Sequence, residues 1–247
     1  MLGSLFNTIL YQPIFNGLIA LYNLIPDFGV ALIVLTILIR VVLFPLSQKA
    51  IKSQKELAIL QPAIKKLQQQ YKDDKQKQAQ ATMALYKEKG INPLSGCLPL
   101  LVQLPILIAL YQVCLHVFKP EALNVLYSFV QNPGTVNPMF LHLIDLSKRN
   151  IPLAVLSGLA QYWQTRMMMP KTVKDKKPAP GFGGQMSNML NQQMLYFMPV
   201  LTVIIGLSLP GGLPLYWLAT TLLTVGQQYL PWGVKQKEVA MTKKDVP

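Results

Sequence analysis

The chain has 247 residues, of which 51% are hydrophobic and 13% charged, with a formal net charge of +13. Five apolar runs of membrane-crossing length exclude an ordinary soluble domain and make this a polytopic membrane protein. The basic excess would suggest nucleic acid in a soluble protein, but here its placement follows membrane topology.

Residues 1 to 27 contain Ile14, Leu18, Leu21 and Ile25 at helical spacing, which predicts an amphipathic helix lying along the outer membrane face. The first 25 residues lack a basic n-region and a small-residue cleavage site, so no cleavable signal is expected. The first span is predicted over 28 to 46. Its apolar run holds fourteen Leu, Ile, Val and Phe residues and one charge, Arg40. Each apolar residue favours insertion by roughly 0.3 to 0.6 kcal/mol near the bilayer centre, against about 2.5 to 3.5 kcal/mol opposing it from the Arg, so the run inserts regardless. An ionisable residue inside a span is a candidate functional site. The ten acidic residues all lie in connections or at the ends of spans, so no fixed counter-charge is expected. Two readings stay open: the side chain snorkels about 9 Å to the nearer surface, or it meets water and a visiting anion.

After Pro45 the sequence becomes polar. Leu57, Leu60, Ile64, Leu67 and Tyr71 recur at intervals of three and four, Lys72 to Lys75 reads as a break, and Ala79, Met83 and Tyr86 form a weaker second seam. Two such seams predict an antiparallel helical hairpin over 48 to 90 on the cytoplasmic side, kinked near Pro62. Further spans are expected at 98 to 117, 151 to 169, 194 to 209 and 213 to 231. The fourth is short enough to thin the bilayer locally. Between the second and third spans, Asn132-Pro133-Gly134 and Asn137-Pro138 signal turns, followed by an apolar patch from Met139 to Leu146 expected to touch the interface. Residues 170 to 190 read as a flexible Lys-, Pro- and Gly-rich loop, and 232 to 247 as a short basic tail. Ten Lys in 47 to 95, four in 170 to 192 and four after 232, against three basic residues in 119 to 150, put the N-terminus outside and the tail in the cytoplasm.

No catalytic set, phosphate loop or paired intramembrane carboxylate is present in the sequence, so an enzyme is not expected. Cys97 and Cys114 lie about 25 Å apart along one helix and cannot bridge, and with His116 and His142 they form no ligand spacing, so no metal or cofactor is expected. The spans carry uncharged polar residues: Thr36 a turn before Arg40, Gln103, Gln161, Gln164, Thr202, Thr220, Thr221 and Thr224. They serve either as interhelical hydrogen-bonding groups or, if several face Arg40, as the lining of a hydrated cavity. Tyr216 and Trp217, near the outer end of the last span, fit interface anchors.

The stretch from Leu60 to Val113 contains LYKE at the end of the hairpin, NPLSGCLP before the second span, and Gln103 with Pro105 within it. It resembles the YidC family of membrane-protein insertases. IRVVLFPLS around Arg40, FLHLIDLS at 140 to 147, FMPV at 197 to 200 and LPLYW before the last span extend the resemblance from about residue 10 to 231. The resemblance implies five transmembrane helices around a hydrophilic groove that opens to the cytoplasm and to lipid but is closed outside. Carried over by position, Arg40, Thr36, Gln103, Gln164, Tyr216 and Trp217 would line that groove, with Gln161 an alternative to Gln164. Implied partners are nascent membrane proteins and the lipid bilayer, with the Sec translocon and the ribosome as further ones, in a bacterial plasma membrane. Family members with an added N-terminal span and a large outer domain differ from this sequence, which is expected to be the short form. With a tail this short after Gly233, ribosome docking through a long basic tail is not expected. The rival reading is a small anion transporter or channel using Arg40 as its solute site, against which the absence of internal repeats counts.

Overall fold

The computed structural model describes residues 2–92, 98–168 and 193–229. The loop expected at 170 to 190, the tail at 232 to 247, the end of the last expected span and Cys97 lie outside them. The described chain is mostly helical: α1 (Leu2–Phe6), a π-helical turn (Asn7–Tyr11), α2 (Gln12–Leu24), α3 (Phe28–Val42), α4 (Phe44–Gln70), α5 (Lys75–Glu88), α6 (Leu98–His116) and α7 (Ile151–Met168). A second π-helical turn (Gln193–Phe197) leads into α8 (Met198–Ser208), followed by α9 (Gly212–Tyr229). Between α6 and α7 lie a 3-10 turn (Pro120–Val125) and two short antiparallel strands, β1 (Met139–Phe140) and β2 (Ile144–Asp145).

Short polar side chains start several helices by accepting amides that have no intrahelical partner. Asp27 Oδ1 takes the Val30 amide at 2.9 Å, Asp74 Oδ1 that of Lys77 at 3.0 Å, and Asn150 Oδ1 that of Leu153 at 2.9 Å. In the outer connection Asn132 Oδ1 accepts from the Gly134 amide at 2.8 Å, and Gly134 takes a φ of +73°, where a residue without Cβ is favoured. Asp145 accepts from both the amide and the hydroxyl of Ser147 and pairs with Lys148 at 3.0 Å. The Ser147 hydroxyl bond, helped by Lys148, holds this carboxyl below its usual range.

α2 is embedded more deeply than a helix resting on a surface. Phe15, Leu18 and Ile19 are fully buried and Tyr22 nearly so, whereas Leu21 and Ile25 of the expected seam are only partly covered. The buried stripe is rotated because the outer connection folds back over α2. Asn16, itself buried, donates to the carbonyls of Gln12 (2.9 Å) and Val125 (3.3 Å) and accepts the Tyr127 amide at 2.6 Å.

The apolar run expected to continue to residue 46 breaks at Leu43. The chain turns through 68° between α3 and the first part of α4. Pro45 sits in the first turn of α4, where its missing amide cannot bond back into α3 and its ring disfavours helical backbone at Phe44. α4 itself runs unbroken through Pro62, so the sharp bend lies earlier than the expected kink. Across the turn at 71 to 74, Leu60 and Ile64 are buried on α4, while α5 buries no residue fully. Ala79 and Met83 of its expected seam are exposed, whereas Tyr86 of that seam is half-buried together with Gln78, Ala81, Thr82 and Leu85. The register is set by a polar contact, Gln78 Nε2 donating to the Gln68 carbonyl at 3.0 Å.

Among the described residues no single helix is both long and apolar enough to cross a membrane alone. The bent pair Phe28–Val42 and Phe44–Ser53 reaches that length and composition together. α7 packs against both α8 and α9, and α9 packs against α3. The α7–α8 approach depends on missing side chains: a Cβ on Gly206 would stand 3.1 Å from that of Ala154, and one on Gly158 would overlap Val203 and meet the Pro199 carbonyl at 3.0 Å. Gly158→Leu should therefore lower stability by about 1 to 3 kcal/mol, as overpacking does. Thermal unfolding in detergent checks this, and an unchanged midpoint would show that the two helices are not held by this contact.

Candidate functional site

The first half of α3 is buried, from Phe28 through Thr36, and the second half is not: Ile37, Leu38, Val41 and Val42 are exposed. Beside this second half, α3, α7 and α9 enclose a cavity of about 910 Å³. Ile33, Phe140, Leu153 and Leu215 line the end nearer the α6–α7 connection, whereas Arg40 and Gln227 lie at the other end. Among the described residues Arg40 has no carboxylate within 4.0 Å. Its Nη2 donates to the Thr220 carbonyl at 3.4 Å, a long bond to an oxygen that also accepts the Thr224 hydroxyl at 2.8 Å. A guanidinium carries five N–H donors. The Thr220 carbonyl takes one of them, and Arg40 is among the residues that line the cavity.

The other residues singled out from the sequence fall in several places. Gln103 on α6 donates through Nε2 to the Tyr216 hydroxyl on α9 at 2.5 Å, and Tyr216 is buried against the core. Thr36 is also buried, with its hydroxyl donating to the Leu32 carbonyl of its own helix at 2.7 Å. Trp217 is half-buried at the margin of the core. On α7, Gln161 is bonded by the Thr202 hydroxyl of α8 and so joins two helices, while Gln164 is half-buried one turn further on. Arg40 is the member of the set that lines the cavity. Phe140, Leu153, Leu215 and Gln227, which also line it, were not singled out from the sequence. Apolar lining looks like core in a sequence; the available signals were that Phe140 opens the FLHLIDLS motif and that Leu215 lies within LPLYW.

Outward from this site, large apolar side chains are exposed along helix faces: Leu101, Leu104 and Ile108 on α6, Val155 and Leu159 on α7, and Val200 and Ile204 on α8. Continuous exposed apolar faces on helices that enclose a charged group define a helical membrane protein with a lateral cavity. A family model described as "60Kd inner membrane protein" matches residues 20–237, and the chain belongs to this family, known as the YidC family. It is 35% identical over 221 residues to the membrane protein insertase YidC of Syntrophus aciditrophicus, covering 89% of this chain and 36% of that protein. The membrane protein insertase YidC of Tolumonas auensis is 35% identical over 235 residues, covering 94% and 38% respectively. The chain thus spans little more than a third of the length of these relatives. A crystal structure described as active YidC insertase with its first transmembrane domain resolved superposes with a TM-score of 0.57 at 27% identity, over 90% of this chain and 47% of that one.

The Gln103–Tyr216 bond ties α6 to α9 next to the Arg-bearing face. Removing the phenolic hydroxyl in Tyr216→Phe leaves the half-buried Gln103 amide without this partner, and should cost about 0.6 to 1.7 kcal/mol, the range for interhelical bonds in membrane proteins. Paired unfolding measurements on Tyr216→Phe, Gln103→Leu and the double variant check it: the two single effects should not add.

Proposed function

We propose that this chain is a membrane-protein insertase core, in which α3, α6, α7, α8 with its preceding π-helical turn, and α9 are five membrane spans. The N-terminal side faces outward and the α4–α5 hairpin lies in the cytoplasm, where it receives substrate. The observation that carries the reading is Arg40, a permanent charge on the inner part of a 910 Å³ cavity with a shared backbone carbonyl as its protein acceptor. A structural Arg in lipid would be paired within the protein. One left open to a cavity suits a transient counter-charge, which a nascent chain would supply.

The steps follow from the physical chemistry of the site. A nascent chain with one or two apolar segments and a short acidic tail enters the cavity from the cytoplasmic side, drawn by the Arg40 charge. Water in the cavity spares the tail's peptide groups full desolvation, which would otherwise cost several kcal/mol each. The helices themselves shorten the path: α3 has 15 residues and so spans about 22 Å, less than a typical 30 Å hydrocarbon core. A locally thinned bilayer accommodates them. The apolar segment then partitions into lipid along the exposed faces, and the inside-negative potential favours outward movement of a negative tail. Lipid and nascent membrane proteins are the partners this mechanism requires, with the Sec translocon and the ribosome as further partners on the substrate's route.

Reconstitution of this chain alone into liposomes tests the reading. It should insert a small single-span substrate, and anion flux without insertion would overturn the proposal. Arg40→Ala should reduce insertion of a substrate with an acidic tail by about tenfold, the equivalent of one charge-assisted hydrogen bond, while Arg40→Lys retains most activity. Equal handling of acidic and neutral tails by all three proteins would refute the charge-attraction step.

A further inference from the structure

If the cavity admits water and substrate to Arg40 at its inner end, as the proposed function requires, it must be closed at its outer end, or ions would cross with the substrate. The outer connection between α6 and α7 is bonded to both walls of this cavity. At the α3 wall, Asp27 uses both carboxylate oxygens: Oδ1 accepts the Val30 amide in the first turn of α3, and Oδ2 accepts the Leu141 amide in the β1–β2 turn at 2.6 Å. At the α9 wall, the Gly211 amide donates to the Lys148 carbonyl at 2.8 Å and the Gly212 amide to the Leu146 carbonyl at 3.1 Å, with Leu146 fully buried between them.

The turn so held has an unusual backbone. Leu141 and His142 take φ values of 50° and 60°, a region that side chains larger than glycine rarely occupy. The strand pairing of Phe140 with Ile144 and the Leu143 amide donating to the Phe140 carbonyl at 3.0 Å maintain it. The result is a sorting of side chains: Leu141 and Leu143 are exposed, while Phe140 lines the cavity. The Phe140 ring lies over Gly29, where any Cβ would overlap it. Beside it, Ile33, Leu153 and Leu215 complete an apolar lining at this end of the cavity, without a polar side chain. Hydrophobic constrictions exclude water and with it ions.

We propose that Phe140, seated on Gly29 and held there by Asp27, is the outer seal of the cavity. Phe140 is the barrier, and Asp27 is a positioning residue that acts through the Leu141 amide. The proposal rests on the orientation and cavity use given under the proposed function.

Thiol accessibility tests it in the full-length chain. Ile37→Cys, inside the cavity, is placed in a background carrying Cys97→Ser and Cys114→Ala, and a membrane-impermeant thiol reagent is applied to spheroplasts or to inverted vesicles. Labelling is expected from the inner face only. Asp27→Asn should raise outer-face labelling by about tenfold, the effect of losing one charge-assisted hydrogen bond from the closed state. Phe140→Ala should raise it further, and Gly29→Ala, which keeps the ring but fills its seat, should raise it as well. Leu143→Ala, in the same turn but exposed, should leave labelling unchanged. Outer-face labelling that stays at background in both Phe140→Ala and Gly29→Ala, or that rises as much in Leu143→Ala as in Phe140→Ala, would overturn the seal. Failure of the unmodified chain to insert substrate would instead strike the insertase reading, and leaves the labelling pattern to be read separately.

Discussion

Dense packing at the outer ends of the helices is the constraint from which the rest of the molecule follows. Burial on α3 stops at Thr36, on α6 it falls at Ile106 and beyond, and on α9 it is continuous from Gly212 to Tyr216. These three stretches meet at one end: a Cβ on Gly212 would stand 3.0 Å from the Cys114 sulfur and 3.6 Å from the Phe28 ring. The outer connection is stitched over the same end by Asn16, Tyr22 and Asp27, each of which accepts an amide from it. At the opposite end α4 departs from α3 at 68°, while α9 stays buried at Thr220, Thr221, Thr224 and Val225 and is bonded to α3 through Arg40 and the Thr220 carbonyl. The cavity lies beside the second half of α3, where Ile37, Leu38, Val41 and Val42 are exposed.

Arg40 belongs to this arrangement because of where packing ends. One turn earlier, at Thr36, a polar group is sealed and must satisfy itself on its own helix through the Leu32 carbonyl. At Arg40 the neighbouring helix offers the Thr220 carbonyl and the cavity offers the remainder. Two polar residues a turn apart thus have opposite environments. The boundary between them marks where close packing along α3 gives way to the cavity.

Much of this was legible in the sequence, for identifiable reasons. The helical character and approximate bounds follow from long apolar runs: α6 at Leu98–His116 and α7 at Ile151–Met168 lie close to the expected 98 to 117 and 151 to 169. Arg40 stood out because a lone charge in an apolar run has few innocent explanations. What sequence could not supply was the side of a helix on which a polar group falls relative to a particular neighbour. Gln161 and Gln164 differ by less than one turn, and which of them meets Thr202 depends on the rotation of α8 against α7, set by Gly158 and Gly206. Likewise the kink was expected near Pro62, but the sharp bend lies beside Pro45, and α4 passes through Pro62 unbroken. The apolar lining was invisible because Phe140 and Leu215 differ from core residues only in what lies beside them.

The size of the cavity limits what it can hold at one moment. An α-helix with side chains is about 10 Å across and rises 5.4 Å per turn, so each turn fills roughly 420 Å³. A volume of 910 Å³ therefore accommodates about two turns, far short of the roughly 20 residues of a complete span. On the insertase reading proposed above, a passenger helix would not be held whole between α3, α7 and α9 but threaded, one short portion beside Arg40 while the portion already past it lies in lipid. The cavity would then act as a moving window, and the sequence inside that window, rather than the mean hydropathy of the whole span, would set the barrier at each instant.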